Sequence, residues 1–75
     1  VKALIEYIAK SLVDDPTEVM VTEQARRGGL RIELSVADED MGRVIGRGGR
    51  VANAMRVLLR VTAAREGKRA TLDIV

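Results

Sequence analysis

Cysteine and histidine are both missing from this 75-residue chain. Without Cys, disulfides and thiolate metal sites are excluded. Without His, the commonest general base and the commonest metal ligand are gone. Phe and Trp are absent too, and Tyr7 is the one aromatic residue. Any core must therefore be aliphatic, which 47% hydrophobic residues and a single Pro permit. No apolar run approaches the roughly 18 residues needed to span a bilayer, and no signal peptide is visible. Two Ser and four Thr, with neither His nor Cys beside them, form no recognisable nucleophile–base pair. The length suits one small domain over residues 1–75, which buries only about 60–65% of the surface its unfolded chain exposes. These absences make a cytosolic, non-catalytic module the leading class, with no metal, cofactor, membrane or small-molecule substrate expected.

Charge is present in quantity and unevenly placed. Residues 1–40 hold nine acids against five bases, a net −4. Residues 41–69 hold Arg43, Arg47, Arg50, Arg56, Arg60, Arg65, Lys68 and Arg69 against Glu66 alone, a net +7. The overall charge of +2 hides this contrast. A basic segment beside an acidic one makes a directional field and points to a polyanion, most simply nucleic acid. The preference for Arg over Lys suits planar phosphate and base recognition. A solvated helix face rich in Arg is the plainer alternative.

The pattern reads as helix, strand, strand, helix, helix, strand. Val1, Leu4, Ile5, Ile8 and Leu12 recur at the spacing of one amphipathic helix face. Asp14-Asp15-Pro16 ends that helix, because the residue before Pro is pushed out of the α region. Val19 and Val21 suggest a strand to about Gln24, and Arg26-Arg27-Gly28-Gly29 a turn. Leu30, Ile32, Leu34 and Val36 alternate with polar residues, predicting a strand with one buried face. Asp38-Glu39-Asp40 reads as the capping acids of a short helix rather than a metal site. That helix ends at Gly46, and a longer one runs from Arg50 to about Arg65. Val51, Met55, Leu58 and Leu59 lie on one side of it, with Arg50, Asn53, Arg56 and Arg60 on the other. Gly67 stops it, and Ala70, Leu72 and Ile74 mark a last strand. The expected architecture is α+β, three helices packed on one face of a three-stranded sheet. Its core would bring Val36, Leu34 and Leu72 against Leu58, Leu59 and Ile8.

The segment Gly42-Arg43-Val44-Ile45-Gly46-Arg47-Gly48-Gly49-Arg50-Val51 carries the chemistry. Residues without side chains let a phosphodiester backbone approach the main chain closely. The helix beginning at Arg50 would aim its free N–H groups at the same place. Arg47 and Arg50 flank it with charge, and Val44 and Ile45 offer an apolar floor. The alternative is a structural helix–helix turn in which Gly only supplies the cap. A dinucleotide fingerprint is excluded, since Val51 stands where a third Gly belongs, and no G-K-[ST] follows to make a P-loop.

Val44-Ile45-Gly46-Arg47-Gly48-Gly49 resembles the V-I-G-x-x-G signature of the KH domain, and the element order looks like its type II arrangement. The stretch from Ile45 to Ala52, with Met55-Arg56 and Leu58-Leu59, is similar to the small bacterial single-KH proteins of the KhpA (YlqC) family. The resemblance spans essentially the whole chain. It implies a cytoplasmic RNA-binding protein that acts as an RNA chaperone or post-transcriptional regulator, connected with cell shape and cell-wall biogenesis. It further implies homodimers, or heterodimers with a second KH-containing protein (KhpB-like). By this resemblance Gly46, Arg47, Gly48 and Gly49 clamp about four unpaired nucleotides, and Val44 and Ile45 line one side of a groove. Ile32 and Leu34 either line the other side or belong to the core. Their charge, and not the resemblance, adds Arg43, Arg50, Arg56 and Arg60 to the expected RNA-binding track. Two alternatives stand beside this reading: a protein-interaction module of the same fold, and a KH domain excised from a larger ribosome-, transcription- or GTPase-associated protein.

Overall fold

A computed structural model describes residues 1–75. Helix α1 (Lys2–Leu12) is followed by a 3₁₀ turn (Pro16–Glu18) and the strands β1 (Met20–Arg26) and β2 (Gly29–Ser35). A second 3₁₀ turn (Asp38–Asp40) leads into the short helix α2 (Met41–Ile45). A third (Arg47–Gly49) leads into the long helix α3 (Arg50–Arg65), and β3 (Ala70–Ile74) closes the order. The sheet order is β1-β2-β3. β1 and β2 are antiparallel, in register from Met20↔Ser35 to Arg26↔Gly29. β2 and β3 are parallel, from Leu30↔Ala70 to Leu34↔Ile74. A parallel pair needs a crossover, and α2 and α3 supply it.

Alternation in β2 decides which face of the sheet the helices cover. Ile32 and Leu34 are fully buried and Val36 nearly so, and they meet Ile5 and Ala9 of α1, Val44 of α2, Met55 and Leu59 of α3, and Leu72 of β3. The opposite face is polar. There Arg31 reaches Glu33 at 3.3 Å and Asp73 of β3 at 2.8 Å, and the Thr22 hydroxyl faces Glu33 across the β1–β2 ladder at 3.5 Å. Each fully buried aliphatic side chain contributes about 1.5–3 kcal/mol, so the ten-residue cluster dominates the stability of so small a chain.

Two expectations about the core are corrected. Leu58 is half-exposed rather than packed on Leu34. Adjacent helix residues sit 100° apart, so Leu58 and Leu59 cannot both face the sheet, and Leu59 takes the place. In α1, Leu12 lies exposed in the last turn, while Ala9, one turn after Ile5, is fully buried. The close approach of α1 to the sheet needs a small residue there.

The acidic cluster also differs from its expected role. None of its side chains caps the helix that follows. Asp40 is instead buried, with 2% of its surface exposed. Its carboxylate accepts the Asp14 N–H at 3.1 Å and the Asp15 N–H at 3.0 Å. Arg43 Nε lies 3.4 Å from the same carboxylate. Asp40 thus ties the chain leaving α1 to the start of α2. Asp40→Ala would leave two main-chain donors and a guanidinium without that partner, and should lower the unfolding free energy by about 3 kcal/mol. Urea denaturation measures this, and an unchanged midpoint would show that the carboxylate has no such role.

Candidate nucleic-acid interface

Between α2 and α3 the chain reverses within four residues, and a close approach explains how. The Gly46 N–H closes α2 by donating to Gly42 O at 2.9 Å. Gly46 itself has φ 75° and ψ 170°, a region open essentially to glycine alone. A Cβ there would lie 2.5 Å from Val51 Cγ2 and 2.9 Å from Val51 N. The bare Cα therefore lets α2 and the first turn of α3 touch. Gly49 N–H donates back to Gly46 O at 3.1 Å, and the Arg50 N–H donates to Arg47 O. The Arg47 and Gly48 N–H groups donate to no backbone or side-chain acceptor of the protein. Both residues are exposed at the apex. Gly48 has φ 64°, and nothing within 4 Å would obstruct a side chain there.

The arginines of the predicted track fall into two groups. Arg47, Arg50 and Arg60 are exposed and form no ion pair. Arg43 is engaged, with Nη2 2.9 Å from Asp14 and Nε near Asp40, so it braces the base of the turn. Arg56 is half-buried and spans from α3 to the sheet, donating from Nε to Leu72 O at 3.3 Å and from Nη1 to Asn53 Oδ1 at 3.1 Å. Val44 is fully buried and anchors α2 in the core. Ile45, 37% exposed, is the apolar side chain offered beside the turn.

A cleft of about 200 Å³ runs along the same flank of α3, lined by Arg56, Arg60, Ala70, Thr71 and Leu72. Its second wall is β3, the edge strand, and not β2. β2 is paired on both sides, and Ile32 and Leu34 are fully buried in the core. Sequence alternation marks a strand but not its neighbours, so it does not single out Ala70 and Thr71 as groove residues. The usable signal is the short α3–β3 connection, Glu66–Arg69, which forces β3 to lie under α3.

Two helices joined by Gly-Arg-Gly-Gly, laid on a three-stranded sheet in the order α-β-β-α-α-β, define a KH domain of the type II arrangement. The family model described as KhpA/KhpB, KH domain, matches residues 2–74. Similar curated proteins are the RNA-binding protein KhpA of Clostridium acetobutylicum, 49% identical over 99% of both chains, and that of Halalkalibacterium halodurans, 46% identical over 99% of this chain and 97% of its own. The RNA-binding protein KhpA of Treponema pallidum is 47% identical over 96% of this chain and 90% of its own. The chain belongs to the KhpA/KhpB KH-domain family, whose relatives here carry the name of a binding protein and not of an enzyme. No solved structure gives a significant match. No helix is long and apolar enough to cross a membrane.

Gly46 and Gly48 should respond differently to a methyl group. Gly46→Ala meets both a forbidden backbone region and Val51, and should cost about 3 kcal/mol or prevent folding. Gly48→Ala meets only the left-handed penalty of about 1–2 kcal/mol. Thermal melts of the two variants check the order; equal losses would mean that the Gly46–Val51 contact does not organise the turn.

Proposed function

We propose that this chain binds single-stranded RNA, with the Gly46–Gly49 turn clamping the backbone of about four unpaired nucleotides. One observation carries the reading: two exposed main-chain N–H groups without acceptors stand at the apex of the turn, between the unpaired guanidiniums of Arg47 and Arg50. They point to an anion, and the N-terminal end of the 16-residue α3 adds its dipole. Bases of the bound strand would lie on Ile45 and along the cleft between Arg56, Arg60 and the β3 edge. Tyr7, the sole aromatic, is on α1 and lines neither the turn nor the cleft between α3 and β3. With no stacking platform from aromatics, the contacts to bases are aliphatic and main-chain, which implies weak sequence preference. Such a binder suits an RNA chaperone or post-transcriptional regulator working in the cytoplasm. The names of the KhpA relatives support RNA as the polyanion.

Replacing Arg47 and Gly48 together with Asp reverses the charge at the apex without touching the core. The double variant should keep its CD spectrum, lose RNA affinity by at least about tenfold, and lose salt dependence by about 0.7 in log–log slope for each phosphate released. Wild-type affinity and slope in a folded variant would refute the clamp.

A second reading, self-association or pairing with another KH protein, is favoured by the outer face of α3. Ala54, Val57, Leu58 and Val61 fall at i, i+3, i+4 and i+7, a second apolar stripe turned away from the core. Val57, Leu58 and Val61 are 52%, 50% and 51% exposed. Both roles are compatible, because the RNA cleft lies on the flank of α3 and this stripe lies on its back. Val57→Lys with Val61→Lys should convert a dimer to a monomer in sedimentation velocity while the fold persists. A wild-type chain that is monomeric at high micromolar concentration would remove the stripe as a self-association surface.

A further inference from the structure

The end of α3 opposite the Gly46–Gly49 turn is also basic, and neither the clamp nor the stripe uses it. Helix α3 is about 24 Å long at 1.5 Å per residue. At its C-terminal end the α3–β3 loop carries Lys68 and Arg69 against the β1–β2 turn, which carries Arg26 and Arg27. The two loops are joined: Leu30 N–H donates to Arg69 O at 2.7 Å, and Gly29 packs so closely on that carbonyl that a Cβ would lie 2.5 Å away. The junction is therefore built and held, not two tails that happen to be near.

A cleft of about 230 Å³ opens at this junction, lined by Arg26, Arg27, Arg31 and Arg69 with the β-turn glycines. A second adjoins it and adds Lys68. No acidic residue lines either cleft. Arg27, Lys68 and Arg69 form no ion pair or side-chain hydrogen bond, and Arg26 donates only to the neutral Gln24, at 2.7 Å. Arg31 alone is neutralised, by Glu33 and Asp73. Uncompensated cations held together by a fixed loop junction make a seat for anions. The shared edge says which anion. Ala70 and Thr71 line this cleft and also the groove between α3 and the β3 edge, so the two depressions share two residues of the β3 edge, round which a flexible strand can pass from one to the other.

We propose that the β1–β2 turn and the α3–β3 loop form a second phosphodiester seat, taking the backbone of RNA that has passed from the clamp along the β3 edge. The proposal rests on the clamp reading and extends it: the full footprint is longer than the roughly four nucleotides the turn holds. Length dependence follows. A strand too short to reach the junction is held by the turn alone, whereas a longer one gains the phosphate contacts of Arg26, Arg27, Lys68 and Arg69.

The test compares an oligouridylate tetranucleotide with a dodecanucleotide, using wild-type chain and the double variant Arg27→Glu, Lys68→Glu. Neither side chain has a partner in the fold, so thermal melts should superimpose. The variant should bind the dodecanucleotide about tenfold more weakly, with a salt slope shallower by about 1.4 for two lost phosphate contacts. It should bind the tetranucleotide within about twofold of wild type. Equal effects on both lengths, or no effect on the dodecanucleotide, overturn the second seat. Failure of the clamp reads differently: the Arg47→Asp, Gly48→Asp chain would then hold the tetranucleotide as tightly as wild type does, whatever the Arg27 and Lys68 variant shows.

Discussion

A main-chain carbon pressed against a valine sets the shape of the site. Gly46 can lie against Val51 only because it has no side chain, and that contact closes the angle between α2 and α3. Both sides of the junction are then held from beneath. Val44 is sealed into the core on one side, and Ala52 and Met55 are buried on the other. Asp40 and Arg43 fasten the start of α2 to the chain leaving α1. With its base fixed on every side, the apex at Arg47 and Gly48 projects outward and keeps its amides free. A binding site made of main-chain donors needs this kind of support, because the geometry of a loop is only as fixed as the packing under its ends.

Electrostatics divides the molecule in the same sense. Several acids of the first forty residues are engaged within the fold: Asp15 accepts from Thr17 N–H at 3.1 Å, Glu6 pairs with Lys10, and Asp14 and Asp40 engage Arg43. From Arg47 onward the arginines have almost no acids to meet. Their charge stays available along the α3 flank and the loop junction at its far end. A net +2 distributed evenly would be of little consequence; a +7 segment spanning α2, α3 and their connections is a field that long anionic strands can follow.

Much of the fold was legible in the sequence. The β2 alternation, the breaker at Asp14–Pro16 and the double-glycine turn gave the element order, and the Gly-Arg-Gly-Gly segment gave the turn. What escaped did so for definite reasons. Asp40 looks like a helix cap because capping is local, whereas its partners lie at Asp14 and Asp15, which no local pattern connects to it. Leu58 looks like core because it is apolar and adjacent to Leu59; only the 100° step separates them, and read strictly it exposes the Ala54–Val57–Leu58–Val61 stripe. Thr71 carries no mark of its own and joins the groove through strand order. The pairing of Arg26 and Arg27 with Lys68 and Arg69 is a product of the parallel β2–β3 register, which alternation alone does not specify.

Whether RNA is held by the apex amides is decided by an amide-resolved NMR titration of the chain with a short oligouridylate. The N–H resonances of Arg47 and Gly48 should move first and furthest, followed by those of Ile45, Arg50 and Thr71. If the apex amides stay unmoved at saturation while shifts gather on β1 or on the outer face of α3, the turn is not where the nucleic acid is held.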